Sequence, residues 1–457
     1  MDYKKREKYK RIFMLWSTIL LVAVQTMMYA GLWYSLLRKM MEIHYYRRGN
    51  WTVIAIYALM TFLFSKVLGA FKVGHLRNLD VLYSQVLSVL ATNAVTYLQV
   101  SLIGKWAFTE NIAPMLYLTM ADLAVSVIWT VLTRWVYAKL YPPHQMLLIH
   151  GDISPKALIK KLNTRGDRYC IKETVHIKEG TQNVLNKIKK AECVLIGDIP
   201  SHERNLFLKF CFQHDIRCYC VPKISDIMIT SSTNIELFDT PLMLFRNRGL
   251  TMTQQGIKRV MDIVISLIGC VLASPIMLII AVAIKIYDHG PVLYHQARVT
   301  QDGREFQIYK FRSMIIDSEK HGARLASKND DRITPVGKVI RRLHVDELPQ
   351  LFNILKGDMA FVGPRPEREE IYREYEKVIP EFRYRLKMKA GLTGYAQVYG
   401  NYHPVPYDKL KLDLTYIENF SIWLDVKLIL LTVKILFQKE KSEGVEENQR
   451  TALKKQE

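Results

Sequence analysis

The sequence predicts a membrane protein of mixed α and α/β class. The expected parts are four transmembrane helices, a degenerate Rossmann-like α/β module, a re-entrant helix, and a mostly helical α+β candidate catalytic domain with interfacial helices. Three observations carry this. Uncharged or nearly uncharged stretches recur at 12–37, 49–65, 81–104, 111–133 and 263–284. Strand-like and helix-like segments alternate over 144–222, the pattern of a parallel sheet. Residues 341–367, RRLHVDELPQLFNILKGDMAFVGPRPE, set two adjacent carboxylates ahead of an apolar helix and an arginine between two prolines.

Composition agrees with a membrane setting. Hydrophobic residues make up 49% of the chain, yet 64 Lys and Arg against 43 Asp and Glu give a formal charge of +21. That combination suits a protein facing a lipid bilayer with anionic headgroups, or phosphate-bearing substrates. No zinc-finger spacing and no aromatic-basic RNA-binding signature is present, so no nucleic-acid partner is expected. The six cysteines (170, 193, 211, 218, 220, 270) form no CxxC pair and read as reduced cytosolic thiols.

Residues 1–143 are expected to form the four-helix transmembrane region, each stretch being near the ~20 residues that span a bilayer. The first is too long and aromatic for a cleaved signal peptide, so it should be retained. Basic residues in the N-terminal tail (Lys4, Lys5, Arg6, Lys8, Lys10, Arg11), the second loop (Lys66, Lys72, Arg77) and the exit (Arg134, Lys139) favour the cytoplasm for these segments. Arg38, Lys39, Arg47 and Arg48 in the first loop pull the other way. Asp122, the one charge inside these stretches, is assigned no role; a hydrogen bond to a neighbouring helix accounts for it as well as a functional group would.

Residues 144–222 read as a Rossmann-like cytosolic module. Strands are expected at 146–152, 193–198 and 216–222, helices at 156–162 and 201–214. The first turn holds one glycine, Gly151, and not G-x-G-x-x-G, so the module is expected to hold no dinucleotide and to act as scaffold, dimer surface or regulatory unit, with a sensor for some other ligand as the alternative. Residues 223–257 look like a connector. A re-entrant helix and catalytic domain follow at 258–440, then a polar tail at 441–457. Ser274 and Pro275 lie at the centre of the apolar 263–284 stretch. Proline removes a backbone hydrogen bond, and the serine can satisfy the freed carbonyl. A helix broken there could enter and leave on one face, which keeps the rest of the chain in the cytoplasm.

Segments 291–299 and 305–314 resemble a β-hairpin, with Lys310 and Arg312 sharing one face of the second strand. A helix is expected at 336–343. Pro349 fits only a first helical turn, which puts Asp346 and Glu347 at or just before the helix that Gly357 ends. Carboxylates can hold Mg²⁺ and arginines can clamp phosphate oxygens, so Asp346, Glu347, Arg341 and Arg365 together suggest phosphate chemistry. The segment 423–437 suits an interfacial helix or a short core helix.

These residues resemble the bacterial sugar transferase family, the monotopic phosphoglycosyl transferases. The matching pieces are Ser274-Pro275, Lys310-Phe311-Arg312-Ser313-Met314, Val345 through Leu351 (VDELPQL), Gly363-Pro364-Arg365-Pro366 and Gly391-Leu392-Thr393-Gly394. The helical region with its Rossmann-like module is similar to the long form, which includes undecaprenyl-phosphate glucose or galactose phosphotransferases. Two departures stand out: Ala390 in place of the proline usual before the glycine turn, and Thr300 in place of the glycine usual after Gln-x-Arg-Val. The resemblance implies an enzyme of exopolysaccharide, capsule or O-antigen priming in the bacterial inner membrane, its active site on the cytoplasmic face. It implies that Asp346 attacks a UDP-sugar, that UMP leaves, and that undecaprenyl phosphate takes the phosphosugar from the aspartate. It further implies Mg²⁺ held in part by Glu347, with Lys310, Arg312, Arg341 and Arg365 on phosphate oxygens.

Two other readings compete. A membrane-tethered nucleotide-sugar oxidoreductase would use the 144–222 module, against which the missing glycine fingerprint counts. A transporter of lipid-linked sugars would need a translocation path, and four short-looped spans with one buried acid make a poor one. The sequence does not name the sugar or the oligomeric state, although the middle module offers a surface for a homodimer.

Overall fold

The structure, a computed structural model, describes residues 3–40, 46–104, 112–245, 249–316, 330, 332–400 and 405–436. The expected polar tail at 441–457 lies outside these residues. The chain divides into two compact units, Met1–Val221 and Pro222–Glu457.

The first unit opens with helices α1 (Tyr3–Ser35), α2 (Arg47–Leu68), α3 (Asn78–Ile103) and α4 (Ala113–Leu140), all long and apolar enough to cross a membrane. Their outward faces carry Leu63, Leu98, Leu132 and Trp135, while the interior mixes Tyr29, Trp33, Val53 and Leu118 with buried polar side chains. In lipid there is no hydrophobic drive between helices, so packing and hydrogen bonds hold such a bundle. Gln25 donates to Ser126 at 3.1 Å, Trp33 to Asn50 at 2.9 Å, and Ser65 meets Ser88 at 2.6 Å. Asp122 belongs to this network: its Oδ2 accepts from Tyr57 at 2.9 Å and Asn93 at 3.1 Å. The hydrogen-bonding role for this acid is therefore present in the fold.

The unit continues as β1 (His144–His150), α5 (Lys156–Asn163), β2 (Tyr169–His176), α6 (Thr181–Lys190), β3 (Cys193–Ile196), α7 (Ser201–Gln213) and β4 (Arg217–Cys220). The sheet is parallel throughout, in the order β2-β1-β3-β4. Strand β2 and helix α6 are additions to the sequence reading. Strand β2, YCIKETVH, is an edge strand with only Val175 buried, so its charges hide the apolar signal. A Cβ at Gly151 would lie 2.9 Å from the Asp198 carbonyl, and one at Gly197 would lie 3.0 Å from the Ile149 carbonyl. The ends of β1 and β3, where a doubly wound fold binds its ligand, are thus drawn together backbone to backbone.

The second unit begins at Pro222, just before the expected connector, which is not structureless: it holds α8 (Ile224–Thr230) and the hairpin β5 (Thr233–Leu237) and β6 (Thr240–Leu244). Helix α9 (Met252–Asp288) starts earlier than the apolar stretch implied, capped by Thr251, whose side chain accepts from the Gln254 N–H. Pro275 lies inside it, and the helix continues on both sides. The expected break is thus a missing hydrogen bond, not an interruption. Ser274 Oγ donates to the Val271 carbonyl at 2.8 Å, the acceptor that Pro275 cannot serve. Strands β7 (Leu293–Val299) and β8 (Glu305–Phe311) form the anticipated antiparallel hairpin. There follow α10 (Pro335–Arg342), a 3-10 turn (Val345–Glu347), α11 (Gln350–Lys356), β9 (Ala360–Val362), α12 (Glu369–Val378), a second 3-10 segment (Pro380–Lys387), β10 (Gly391–Thr393), α13 (Tyr395–Tyr399), α14 (Pro406–Glu418) and α15 (Ile422–Leu436). Helix α15 buries Asp425, Leu428 and Leu431 against the main core and exposes Trp423, so the core-helix reading of this segment describes its packing.

The two departures from the family pattern touch each other. The Ala390 N–H, which a proline would lack, donates to Thr300 Oγ1 at 3.0 Å, and a glycine would lack that hydroxyl. Thr300 Oγ1 in turn donates to the Asp358 carbonyl at 3.2 Å. Both residues are buried. Thr300→Gly leaves the Ala390 donor unsatisfied, and Ala390→Pro drives a ring carbon at the hydroxyl, so each alone should lower stability by about 1–3 kcal/mol. The double variant should regain most of that loss in a denaturant double-mutant cycle. Simple additivity would show that the two positions are not a matched pair.

Candidate active site

The site is assembled around a tight reversal. Helix α10 ends at Arg342, and His344 takes the left-handed conformation (φ 55°, ψ 21°), uncommon for a residue with a Cβ. The chain then makes the 3-10 turn that carries Asp346 and Glu347, and Pro349 (φ −62°) leads into α11. The pair sits just before the helix, as the proline requires. Gly357 (φ 99°) ends α11.

The adjacent carboxylates have unequal surroundings. Glu347 Oε1 accepts from Lys310 Nζ at 2.6 Å and from an Arg365 nitrogen at 2.7 Å, while among the described residues Oε2 has only a 3.4 Å contact with Arg365. Burial by itself would raise its pKa, but the Arg365 and Lys310 charges outweigh it and hold the carboxyl well below its usual range. Asp346 makes no hydrogen bond or ion pair among the described residues. Burial, then the Glu347 charge, raises its pKa against the pull of Lys310 and Arg341. Burial likewise lowers the Lys310 pKa, with Glu347 opposing.

This arrangement is held by backbone contacts that sequence reading did not anticipate. Asn353, fully buried in α11, accepts from the Tyr309 N–H at 2.9 Å and donates to the Gln307 carbonyl at 2.7 Å. It pins α11 to β8 and so fixes Glu347 beside Lys310. Its signal was a lone polar residue in the apolar run LFNIL. On the other side, Arg385 donates to the Arg365 carbonyl at 2.8 Å and Arg298 donates to the Pro366 carbonyl at 3.1 Å. Burial lowers the Arg298 pKa to about 10. Glu367 balances these cations: it pairs with Lys409 and lies 3.6 Å from Arg385, which also binds Asp413 at 2.7 Å. A Cβ at Gly391 would strike the Gly363 backbone, so only glycine lets the GPRP segment and the glycine turn close on each other.

Of the residues expected from sequence, Asp346, Glu347, Lys310, Arg341 and Arg365 share this neighbourhood. Arg312 does not join them. Although alternation puts it on the face of Lys310, it lies past the end of β8 and pairs with Asp288 at the end of α9. Its NH1 is buried with no hydrogen-bond partner among the described residues. Ser274 and Pro275 are in the middle of α9. No cluster of three or more metal-ligating side chains occurs among the described residues, so any cation here would rest on the Asp346–Glu347 pair.

The site thus sets a carboxylate without a hydrogen bond or ion pair among the described residues beside a cation-locked one, in a unit carrying a long apolar helix. Residues 253–439 match the bacterial sugar transferase model, and the chain belongs to that family. Over 254 residues it is 48% identical to the UDP-N-acetylgalactosamine-undecaprenyl-phosphate N-acetylgalactosaminephosphotransferase of Aeromonas hydrophila, covering 53% of this chain and 57% of that protein. Over 204 residues it is 41% identical to a UDP-glucose:undecaprenyl-phosphate glucose-1-phosphate transferase of Klebsiella pneumoniae, covering 44% and 42%. Over 131 residues it is 50% identical to a Bacillus subtilis (strain 168) protein provisionally named as an undecaprenyl-phosphate N-acetylgalactosaminyl 1-phosphate transferase, covering 29% of this chain and 73% of that protein. The chain spans about half the length of the first two relatives.

Glu367 titrates far below an ordinary glutamate. Burial alone would raise it, but Lys409 and Arg385 bring it down to about 2. A depressed carboxylate stabilises the fold above its unfolded pKa of about 4.3, and that stability is lost as pH falls from there toward the folded value. Glu367→Gln should lower the unfolding free energy at pH 7 by roughly 3–5 kcal/mol, because Lys409 and Arg385 stay buried with less compensation. It should also flatten the acid dependence of the denaturation midpoint between about pH 4 and pH 2. An unchanged acid slope would remove Glu367 from the stabilising network.

Proposed function

We propose that this protein transfers a sugar 1-phosphate from a UDP-sugar to undecaprenyl phosphate, releasing UMP, as a priming step of exopolysaccharide, capsule or O-antigen synthesis. The observation that supports this most is the inequality of the paired carboxylates, Glu347 neutralised by two cations and Asp346 with no hydrogen bond or ion pair among the described residues. In the first half-reaction the Asp346 carboxylate attacks the phosphorus bearing the sugar. The bond from that phosphorus to the UMP oxygen breaks, and UMP leaves with the electron pair. In the second, a phosphate oxygen of undecaprenyl phosphate attacks the same phosphorus. The Asp346 carboxylate leaves, and undecaprenyl-diphosphate-sugar forms. The raised pKa makes ionised Asp346 more basic than an ordinary carboxylate, and so a better nucleophile. Lys310, Arg341 and Arg365 are the cations at hand for the phosphate oxygens.

The carboxylate pair also fits Mg²⁺ arriving with a diphosphate, since that ion is usually held by one or two carboxylates plus substrate phosphates. Glu347 Oε2, with a single 3.4 Å hydrogen bond among the described residues, is the oxygen most open to it. Bound there, Mg²⁺ supplies charge neutralisation at the phosphates.

The reading sets the protein in the bacterial cytoplasmic membrane as a multi-pass protein with its site on the cytoplasmic face. Helix α9 supports this without reference to chemistry. Near its start, Lys258 binds Asp425 at 2.5 Å and Asp262 accepts from the Phe361 N–H at 3.0 Å. At its end, Ile280 and Ile284 pack with Phe311 and Ile340, and Asp288 pairs with Arg312. Both ends thus meet one folded unit, which a helix with ends in opposite compartments could not do. A re-entrant course satisfies these contacts. The α/β module, with its closed strand ends, is left as scaffold or homodimer surface, which counts against the oxidoreductase reading. The relatives that are 48% and 50% identical carry N-acetylgalactosamine names, so UDP-N-acetylhexosamines lead the donor candidates, ahead of glucose and galactose.

UMP release from a panel of UDP-sugars, with undecaprenyl phosphate and Mg²⁺, tests this directly. Asp346→Asn should reduce turnover by several orders of magnitude and abolish any covalent phosphosugar adduct, as removing a nucleophile does. Near-normal turnover would remove Asp346 from that role. In the wild type, the rate should fall as pH drops through the Asp346 pKa, at a higher pH than the value of about 3.9 for a free aspartate. Glu347→Gln should weaken the Mg²⁺ dependence and the rate together, and an unchanged Mg²⁺ titration would count against Glu347 as a metal ligand.

A further inference from the structure

Helix α11 is short, seven residues, and carries the Asp346–Glu347 segment at its leading end. A helix of that length is not stable by itself, so its position is set by what grips it. Asn353 grips its flank. The trailing end is gripped by α9. Arg259 donates to the Ile354 carbonyl at 2.6 Å and to the Leu355 carbonyl at 2.7 Å. These belong to the last turn, where the Ile354 carbonyl otherwise has only the capping Gly357 N–H at 3.0 Å. Lys389 Nζ adds a bond to the Gly357 carbonyl at 2.9 Å. A guanidinium suits this place because its fork meets two neighbouring oxygens at once, and its charge faces the negative end of the helix dipole. Arg259 sits between Lys258 and Asp262, which tie the same stretch of α9 to Asp425 and Phe361. The far side of α9 offers Val260, Ile263, Val264 and Leu267 outward. One turn of helix therefore faces an apolar surround on one side and holds the catalytic segment on the other.

We propose that Arg259 is a positioning residue for Asp346, coupling the seat of the apolar helix α9 to the placement of α11. The inference rests on the transferase reading above. Arg259 touches no substrate. It holds the trailing end of α11, so its loss lets the leading end shift relative to Lys310 and Arg365. That shift acts on the attack by Asp346 more than on the affinity for the nucleotide.

The test uses the full-length protein in lipid nanodiscs, with pre-steady-state UMP release from a UDP-sugar in the absence of undecaprenyl phosphate. The variants are Arg259→Gln and Arg259→Lys. Arg259→Gln should slow the UMP burst by about 10- to 100-fold, the scale of a misplaced reacting group, with KM for the UDP-sugar within about threefold of wild type. Arg259→Lys, whose ammonium serves the two carbonyls poorly, should lie between, and guanidinium ion added to Arg259→Gln should restore part of the burst. If Arg259→Gln does not fold, the lysine variant alone decides, by a slowed burst at an unchanged thermal midpoint. A wild-type burst rate in Arg259→Lys and Arg259→Gln overturns the inference. So does a loss that appears wholly in KM, or one that follows the fall in thermal midpoint without guanidinium rescue. Absence of any UMP burst in the wild type would instead defeat the transferase reading, so the two failures are distinguishable.

Discussion

The clamp on Glu347 is the interaction on which the site depends. Two cations reach one carboxylate from different parts of the fold, Lys310 from strand β8 and Arg365 from the proline-fixed segment after β9. A buried carboxylate without such partners would take up a proton. With them Glu347 holds its charge, and that charge acts on its neighbour, helping to raise the Asp346 pKa. The two acids have the same chemistry and adjacent places in the chain. What separates them is which one the cations reach. Each cation must therefore be held in place, and hydrogen bonds to the backbone that carries it do so.

The supports differ in kind on the two sides. Lys310 is fixed through Asn353, a neutral side chain that bonds the β8 backbone. Arg365 is fixed through its own carbonyl and that of Pro366, by Arg385 and Arg298, which need Glu367 and Asp413 nearby to make a buried positive cluster tolerable. Such networks are costly when incomplete and specific when complete. The interlocked Gly363 and Gly391 add a constraint that no side chain could provide, since a Cβ at either would meet backbone of the facing segment.

Much of this was legible in the sequence where one residue type has one physical use. Pro349 could only open a helix, Gly357 could only end it, and the 263–284 run could only be an apolar helix. The parallel sheet followed from alternating strands and helices, though edge strand β2 escaped because half-exposed strands carry charges that mask their period. The site was legible as a set of residue types and less so as a set of partners. Arg312 shares a face with Lys310 by alternation, yet meets Asp288 because strand β8 ends at Phe311. Arg298, Arg385 and Asn353 act through backbone carbonyls and amides distant in sequence, and nothing in a linear chain marks which carbonyl an arginine will find. The Thr300–Ala390 contact shows the same limit from the other side. Each looked like an isolated departure, and only proximity reveals that they complete one hydrogen bond.

The path of α9 follows from lengths as well as contacts. Lys258 and Asp288 are thirty residues apart, which at 1.5 Å per residue is about 45 Å of straight helix, more than the ~30 Å hydrocarbon core. A straight helix of that length could cross, but its two ends would then lie beyond opposite faces of the bilayer, and both are tied to the same unit. Helix α9 runs unbroken through Pro275, with about 25 Å of it before the proline and about 20 Å after, each shorter than the hydrocarbon core. The missing hydrogen bond at Val271 and the serine that repairs it fall where the two parts meet. The turn around Ser274 and Pro275 is exposed to the surroundings of the protein, while Lys258, Asp262 and Ser266 before it and Ile280 and Ile284 after it are buried. On the re-entrant course proposed above, the middle of α9 would dip into lipid with both ends kept on its own domain, which would set the depth of that domain at the membrane surface. A site held from a helix on that proposed course would meet a lipid-borne phosphate and a soluble nucleotide at the same plane.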